Sequence, residues 1–274
     1  MFREIAPGLY LQPSLLYQTQ CAVLADRSGV MCIDPGFFEE EILAARSLAV
    51  RLAREARTPL RVLLTHSDFD HIAGAPAFPD AAVVTHATWD ERNEARARDA
   101  LRRFDGEHYI ARTMPLTGPV RRDIAVAADG EELGECLLYH TDGHTSDGLA
   151  LFHRPTRALI VGDYLSDCEF PFIDVGALRY RATLEKFQGL LASLGPALLV
   201  SQHGTPALGS VAIAARLDES RRYLDALLQA SAQSDTPAEA ARRSAGAWRG
   251  AIPDYLYERH LENARIALRD LAGA

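Results

Sequence analysis

The sequence has little cysteine, and none in a pattern that binds metal. Cys21, Cys32, Cys136 and Cys168 are the whole set. The absence of any C-x-x-C pair excludes a zinc knuckle and a thioredoxin-like motif. Long apolar runs are missing as well. Residues 1–7 hold no stretch fit for a signal peptide, and no later segment reaches the length of a membrane span. The expectation is a reduced, cytoplasmic protein with no membrane partner. Positive charge is in deficit: 29 Lys and Arg stand against 37 Asp and Glu, a formal net charge of -8. That balance disfavours a polyanion, so nucleic acid is not expected as a partner. The glycine motifs of P-loops and dinucleotide folds are absent. There is no G-x-S-x-G elbow, and Gly143-His144-Thr145-Ser146 does not substitute for one.

What is there is an ordinary globular balance, 48% hydrophobic and 24% charged, in a chain long enough to bury a core without disulfides. Apolar alternation and runs predict strands at 8–11, 15–24, 30–33, 60–65, 81–85, 136–141, 149–153, 158–161 and 197–200. Helical spacing predicts helices over 39–57, 87–103 and 181–194, with Ile42, Leu43, Leu48, Leu52 and Ala53 marking the first. Residues 104–133 are mixed. After residue 210 only helix signals remain, at 210–232, 236–248 and 254–271. The pattern predicts a mixed α/β body over 1–209, with a helical C-terminal extension over 210–274 packed on it.

The informative residues are the polar ones at strand ends. Val62-Leu63-Leu64-Thr65 runs into His66, and Leu137-Leu138-Tyr139 into His140-Thr141-Asp142-Gly143-His144. Leu159-Ile160-Val161-Gly162 runs into Asp163, and Leu198-Leu199-Val200-Ser201-Gln202 into His203. Strands sharing one orientation would bring these ends to one edge of the fold, where α/β sites are commonly built. The densest cluster is His66-Ser67-Asp68-Phe69-Asp70-His71. Burying four such groups without partners is costly, and a divalent cation would satisfy them. Imidazole with carboxylate suits zinc, iron or manganese.

The segment from Thr65 to His71 resembles the His-x-His-x-Asp-His motif of the metallo-β-lactamase superfamily. Gly143-His144-Thr145, Gly162-Asp163 and His203-Gly204 are similar to its later motifs, in order, and Ile33-Asp34-Pro35-Gly36 to the turn that precedes them. The resemblance spans roughly the first three quarters of the chain. It implies an αββα sandwich with a dinuclear metal site at one edge. The first metal would be held by His66, Asp68 and His144, and the second by Asp70, His71 and His203, with Asp163 bridging both. Asp34 would orient the loop before the site. The implied activity is hydrolysis of a small ester, thioester or lactone by a metal-bound hydroxide, with Asp70 orienting the nucleophile.

Position 68 departs from the motif, carrying Asp where the family usually has His. The extra carboxylate should make bound water less acidic and favour harder ions such as Mn²⁺ or Fe²⁺. Zinc remains the first expectation for the two divalent ions, with iron or manganese as alternatives. A carboxylate here also resembles the flavodiiron branch, so a di-iron oxidoreductase is the second reading. A metal-binding protein without catalysis is the third. Tyr164 and Phe172 are candidate substrate contacts, and Arg179 and Arg181 could receive a substrate carboxylate. His86 and His140 are read as structural, and His108, His153 and His260 as surface or helix histidines. Cys168 reads as a small apolar group near Asp163. The helical tail either covers the site and selects a small-molecule substrate or mediates homodimerisation.

Overall fold

The computed structural model describes residues 1–273. Two sheets face each other. The first has seven strands in the order β1 (Arg3–Ala6), β2 (Leu9–Pro13), β3 (Gln20–Asp26), β4 (Gly29–Ile33), β5 (Leu60–Leu63), β6 (Ala82–His86) and β7 (Ile124–Val126). The second runs β13 (Ala207–Leu208), β12 (Leu198–Val200), β11 (Ala158–Ile160), β10 (Gly148–His153), β9 (Cys136–Thr141) and β8 (Glu131–Leu133). The helices are α1 (Glu39–Ala56), α2 (Phe69–Ile72), α3 (Glu91–Glu107), α4 (Ala177–Leu194), α5 (Gly209–Ala232), α6 (Pro237–Ser244) and α7 (Tyr257–Ala272).

The period-two rule of strands explains the layers. In β3, Ala22 and Leu24 point between the sheets, while Cys21 and Val23 point to the helices. In β10, Leu149 and Leu151 point inward, while Ala150 and Phe152 face the other helical layer. Leu63, Val84, Leu138, Ile160 and Val200 complete the core between the sheets. Helices α1 and α3 cover the first sheet. Helix α4 covers the second and shares one apolar core with α5, α6 and α7. The αββα sandwich with a helical C-terminal region is therefore the observed architecture.

Several boundaries differ from the sequence reading for physical reasons. The apolar run 15–24 is not one strand. Residues 14–19 form a turn closed by the Ser14 N–H donating to the Thr19 carbonyl at 2.7 Å. Tyr17 and Gln18 there have φ of 51° and 54°, a left-handed conformation that breaks a strand. Helix α3 starts at Glu91 rather than 87, because Asp90 caps it by accepting from Arg92 N at 2.7 Å. Helix α1 buries Ile42, Ala45, Ala49 and Ala53, and Leu43 stays exposed. Strands β1, β7, β8 and β13 fall outside the predicted segments. Among the described residues, no helix is long and apolar enough to cross a membrane.

The topology gathers the ligand-bearing ends. β11 is parallel to β12, and β10 is antiparallel to both β9 and β11. So β9, β11 and β12 run the same way and release their C-terminal loops at one edge. Across the gap, Leu149 N donates to Thr65 O at 2.7 Å and Gln20 N to Gln202 O at 2.6 Å. These two bonds stitch the sheets together where the ligands emerge.

Candidate metal centre

His66, Asp68, Asp70 and His71 come from the loop after β5 and the short helix α2. Asp68 stands at the helix start but makes no capping bond with its side chain, which leaves its carboxylate for the cluster. His144 follows β9, Asp163 follows β11 and His203 follows β12. The turn before His144 needs glycine. Gly143 has φ of 123°, and a Cβ there would lie 2.3 Å from the Tyr180 backbone nitrogen.

Asp163 sits at the centre. Its Oδ2 is 3.5 Å from His66 Nε2, 3.3 Å from His144 Nε2 and 3.1 Å from His203 Nε2. Its Oδ1 is 3.3 Å from His71 Nε2. Asp70 Oδ2 lies 3.6 Å from His71 Nε2 and 3.5 Å from His203 Nε2. Asp68 Oδ2 lies 3.6 Å from His66 Nε2 and 3.5 Å from His144 Nε2. Asp68 therefore reaches the His66–His144 pair. Asp68 is also the most open carboxylate of the cluster, 39% exposed against 7% for Asp70 and 8% for Asp163.

All four histidines turn the same nitrogen inward because the other is held from outside. His71 Nδ1 donates to Asp34 Oδ2 at 2.9 Å. His144 Nδ1 donates to the Phe172 carbonyl at 2.9 Å, and His203 Nδ1 to the Tyr17 carbonyl at 3.0 Å. Thr65 Oγ1 gives its one proton to Asp34 Oδ2, so its lone pairs accept from His66 Nδ1 at 3.0 Å. A histidine protonated at Nδ1 presents an Nε2 lone pair, as metal-ligating histidines do. Asp34 also accepts from Thr65 N at 2.8 Å and Gln202 Nε2 at 2.6 Å. It is the hub outside the cluster.

The donor set fits divalent metal. His71 Nε2 and Asp163 Oδ1 are buried with no hydrogen-bond partner, which is costly unless something else satisfies them. The ligand atoms of His66, His144 and Asp163 lie within 4.8 Å of one another, as do those of Asp70, His71 and His203. Metal–ligand lengths of about 2.0–2.2 Å separate tetrahedral neighbours by roughly 3.4 Å, close to the spacings above. Burial opposes the charged form of each histidine, and His71 opposes it further at His66. The Asp163 carboxylate prevails at all four and raises them, His203 to about 10. In this cluster protons and metal compete for the same lone pairs.

The family model of the metallo-beta-lactamase superfamily matches residues 15–203. This chain belongs to that superfamily. Solved structures of the superfamily's fold cover nearly all of it. The chain is similar to a metallo-beta-lactamase family protein from Thermus thermophilus at 20% identity and a TM-score of 0.65, covering 98% of this chain and 95% of that one. A beta-lactamase domain protein from Burkholderia ambifaria matches at 19% identity and 0.65, covering 99% and 88%. The stereoselective inverting sec-alkylsulfatase Pisa1 from Pseudomonas sp. matches at 17% identity and 0.69 over 98% of this chain. The chain spans only 49% of that sulfatase's length. No curated protein matches the sequence significantly.

A cavity of about 720 Å³ opens over the cluster. Its floor includes Asp68, Asp70, His144, Asp163 and His203. Phe172 lines it. Tyr164 does not. It is 2% exposed, donates its hydroxyl proton to Asp142 O and accepts from His144 N, both at 3.0 Å. Its role is to hold the loop that carries His144. Arg179 pairs with Asp142 at 3.2 Å and Arg181 is exposed, both away from the cavity lining. Cys168 is half-buried and lines the cavity. The sequence reading missed Glu169, Tyr255, Leu256 and Arg259, which also line it. The last three come from the C-terminal region, where only helical periodicity was legible.

Two histidines read as surface or helix groups are buried, and His260 does lie on helix α7. His153 pairs with Asp26 at 3.1 Å, and His260 bonds Tyr223 Oη at 2.9 Å. His86 and His140 lie outside the cluster and stack on each other at 3.9 Å and 3°. Burial and then His140 lower His86 to about 4, from an ordinary value near 6.5. The folded state therefore binds fewer protons than the unfolded state between those values. The contribution of His86 to stability is full above pH 6.5 and falls as the pH drops toward 4. Thermal melts of the parent and His86→Asn across this range should show a shallower loss in the variant. Parallel curves would contradict the assignment.

Proposed function

We propose that the chain is a metal-dependent hydrolase acting on a small ester, thioester or lactone. The observation carrying this reading is the convergence of four outward-tethered imidazoles on Asp163, with two orphaned buried atoms among them. His66, Asp68 and His144 would hold one divalent ion, and Asp70, His71 and His203 the other, with Asp163 shared. When bound, such ions acidify water and polarise the bond to be cleaved.

The chain's own residues supply the rest. Asp70 Oδ2 accepts from Thr19 Oγ1 at 2.9 Å, which fixes a carboxylate facing the cavity to orient the attacking water. Phe69, Phe172 and Leu256 add apolar surface to the cavity lining, and lower polarity strengthens charge interactions there. The test is turnover of 4-nitrophenyl esters, an acyl thioester and an acyl lactone by loaded and chelated protein. Turnover of at least one substrate should vanish on chelation and return with zinc, manganese or iron. Loaded protein inert toward all three classes would contradict the reading.

A further inference from the structure

The cavity has two walls, and they are not alike. Leu15, Tyr17 and Phe69 form one from the N-terminal half. The other joins the loop through Phe172 and Asp174 to Tyr255, Leu256 and Arg259 of the C-terminal region. Leu15 and Tyr255 are 93% and 83% exposed, so the mouth offers apolar surface without cover. Among the described residues of the lining, Arg259 is the one arginine or lysine. Its guanidinium carbon lies 4.8 Å from the centre of the Phe172 ring, and one terminal nitrogen is 2.5 Å from Asp174 Oδ1. Its Nε is buried with no partner. A guanidinium carries five donors, and this pairing uses one nitrogen.

We propose that Arg259 is a specificity residue that receives a single anionic group on a substrate whose body is apolar. The inference rests on the hydrolase reading and narrows its substrate. The placement is direct. The Phe172 carbonyl fixes His144 while the Phe172 ring carries Arg259, and Asp174 N donates to the His144 carbonyl at 3.1 Å. One short loop thus sets the anion site beside the cluster. Helix α7 holds that loop firmly. Asn263, one turn beyond Arg259, accepts from Ile173 N at 3.0 Å and donates to Pro171 O at 2.6 Å. The apolar walls then take the substrate's body, contributing affinity through buried area. Glu169 and Asp174 in the same wall oppose a second negative charge, so the group is a monoanion and a polyphosphate is disfavoured.

The bland alternative is that Arg259 and Asp174 only fasten α7 to the loop. Two probes that cannot be hydrolysed separate the readings: hexane-1-sulfonate and hexan-1-ol, titrated calorimetrically into the metal-loaded protein. The parent should bind the sulfonate more tightly than the alcohol. Arg259→Gln should weaken the sulfonate about tenfold, the loss expected of a charge-assisted bond, and leave the alcohol unchanged. Asp174→Asn, which removes the competing carboxylate, should tighten the sulfonate. Equal weakening of both probes in Arg259→Gln, or a parent that does not prefer the sulfonate, would overturn the proposal. If Arg259→Gln does not fold, an Asp174→Asn variant with unchanged or weaker sulfonate binding would overturn it alone. Neither probe is turned over, so the result is read separately from the hydrolysis test.

Discussion

Replacing Asp163 with alanine is expected to strip the protein of divalent metal and to lower hydrolysis by a factor on the order of a thousand or more. No other side chain reaches so much of the cluster. Its Oδ2 lies within 3.1–3.5 Å of three imidazole nitrogens, and its Oδ1 lies 3.3 Å from the fourth. On the proposed two-metal reading, losing it would remove a ligand from both sets and the charge that offsets two cations. Asp163→Asn is the sharper variant, because it keeps the shape and removes the charge. Metal per chain and kcat should fall together in both. Full metal content in Asp163→Ala would show that the two ligand sets stand without a shared carboxylate, against the geometry of the cluster.

The second large effect is expected outside the cluster. Asp34→Ala should lower folding stability by about 3–5 kcal/mol and metal affinity by roughly 10–100-fold. Asp34 is 1% exposed, and its carboxylate accepts from Thr65 N, Thr65 Oγ1, His71 Nδ1 and Gln202 Nε2. Removing it orphans donors from three segments in the dry interior. It also frees two imidazoles: His71 loses its partner directly, and His66 loses the threonine hydroxyl that Asp34 orients. Urea denaturation of chelated protein isolates the stability effect from metal binding. A midpoint matching the parent's would mean that water replaces the carboxylate and that the hub is dispensable.

The candidate ligands were legible because His66, His144, Asp163 and His203 each follow a strand, and a strand is a short-range pattern. The apolar run Val62-Leu63-Leu64 marks β5 before any tertiary contact is known, and His66 lies three residues past Leu63. The motif order then supplied the pairing of distant segments that spacing alone could not. The walls of the cavity were hidden for the opposite reason. Arg259 reaches the site because α7 docks on the loop at 170–174, and that docking depends on Asn263 meeting atoms 90 or more residues away. Tyr17 was misread because aliphatic and aromatic residues continue past Ser14, while the left-handed turn at Tyr17 and Gln18 uses no glycine to announce it. The burial of His153 was not legible since a buried histidine is recognised by its partner, and Asp26 lies 127 residues from His153. The short edge strands β7 and β8 are three residues each, too brief for alternation to register.

The central claim is that seven side chains form a dinuclear metal site. Elemental analysis of protein purified without added metal, then of protein dialysed against zinc, manganese or ferrous iron, tests it most directly. Loading should give close to two ions per chain, and Asp163→Ala should hold little metal under the same conditions. A parent chain that stays empty in all three metals would contradict the claim.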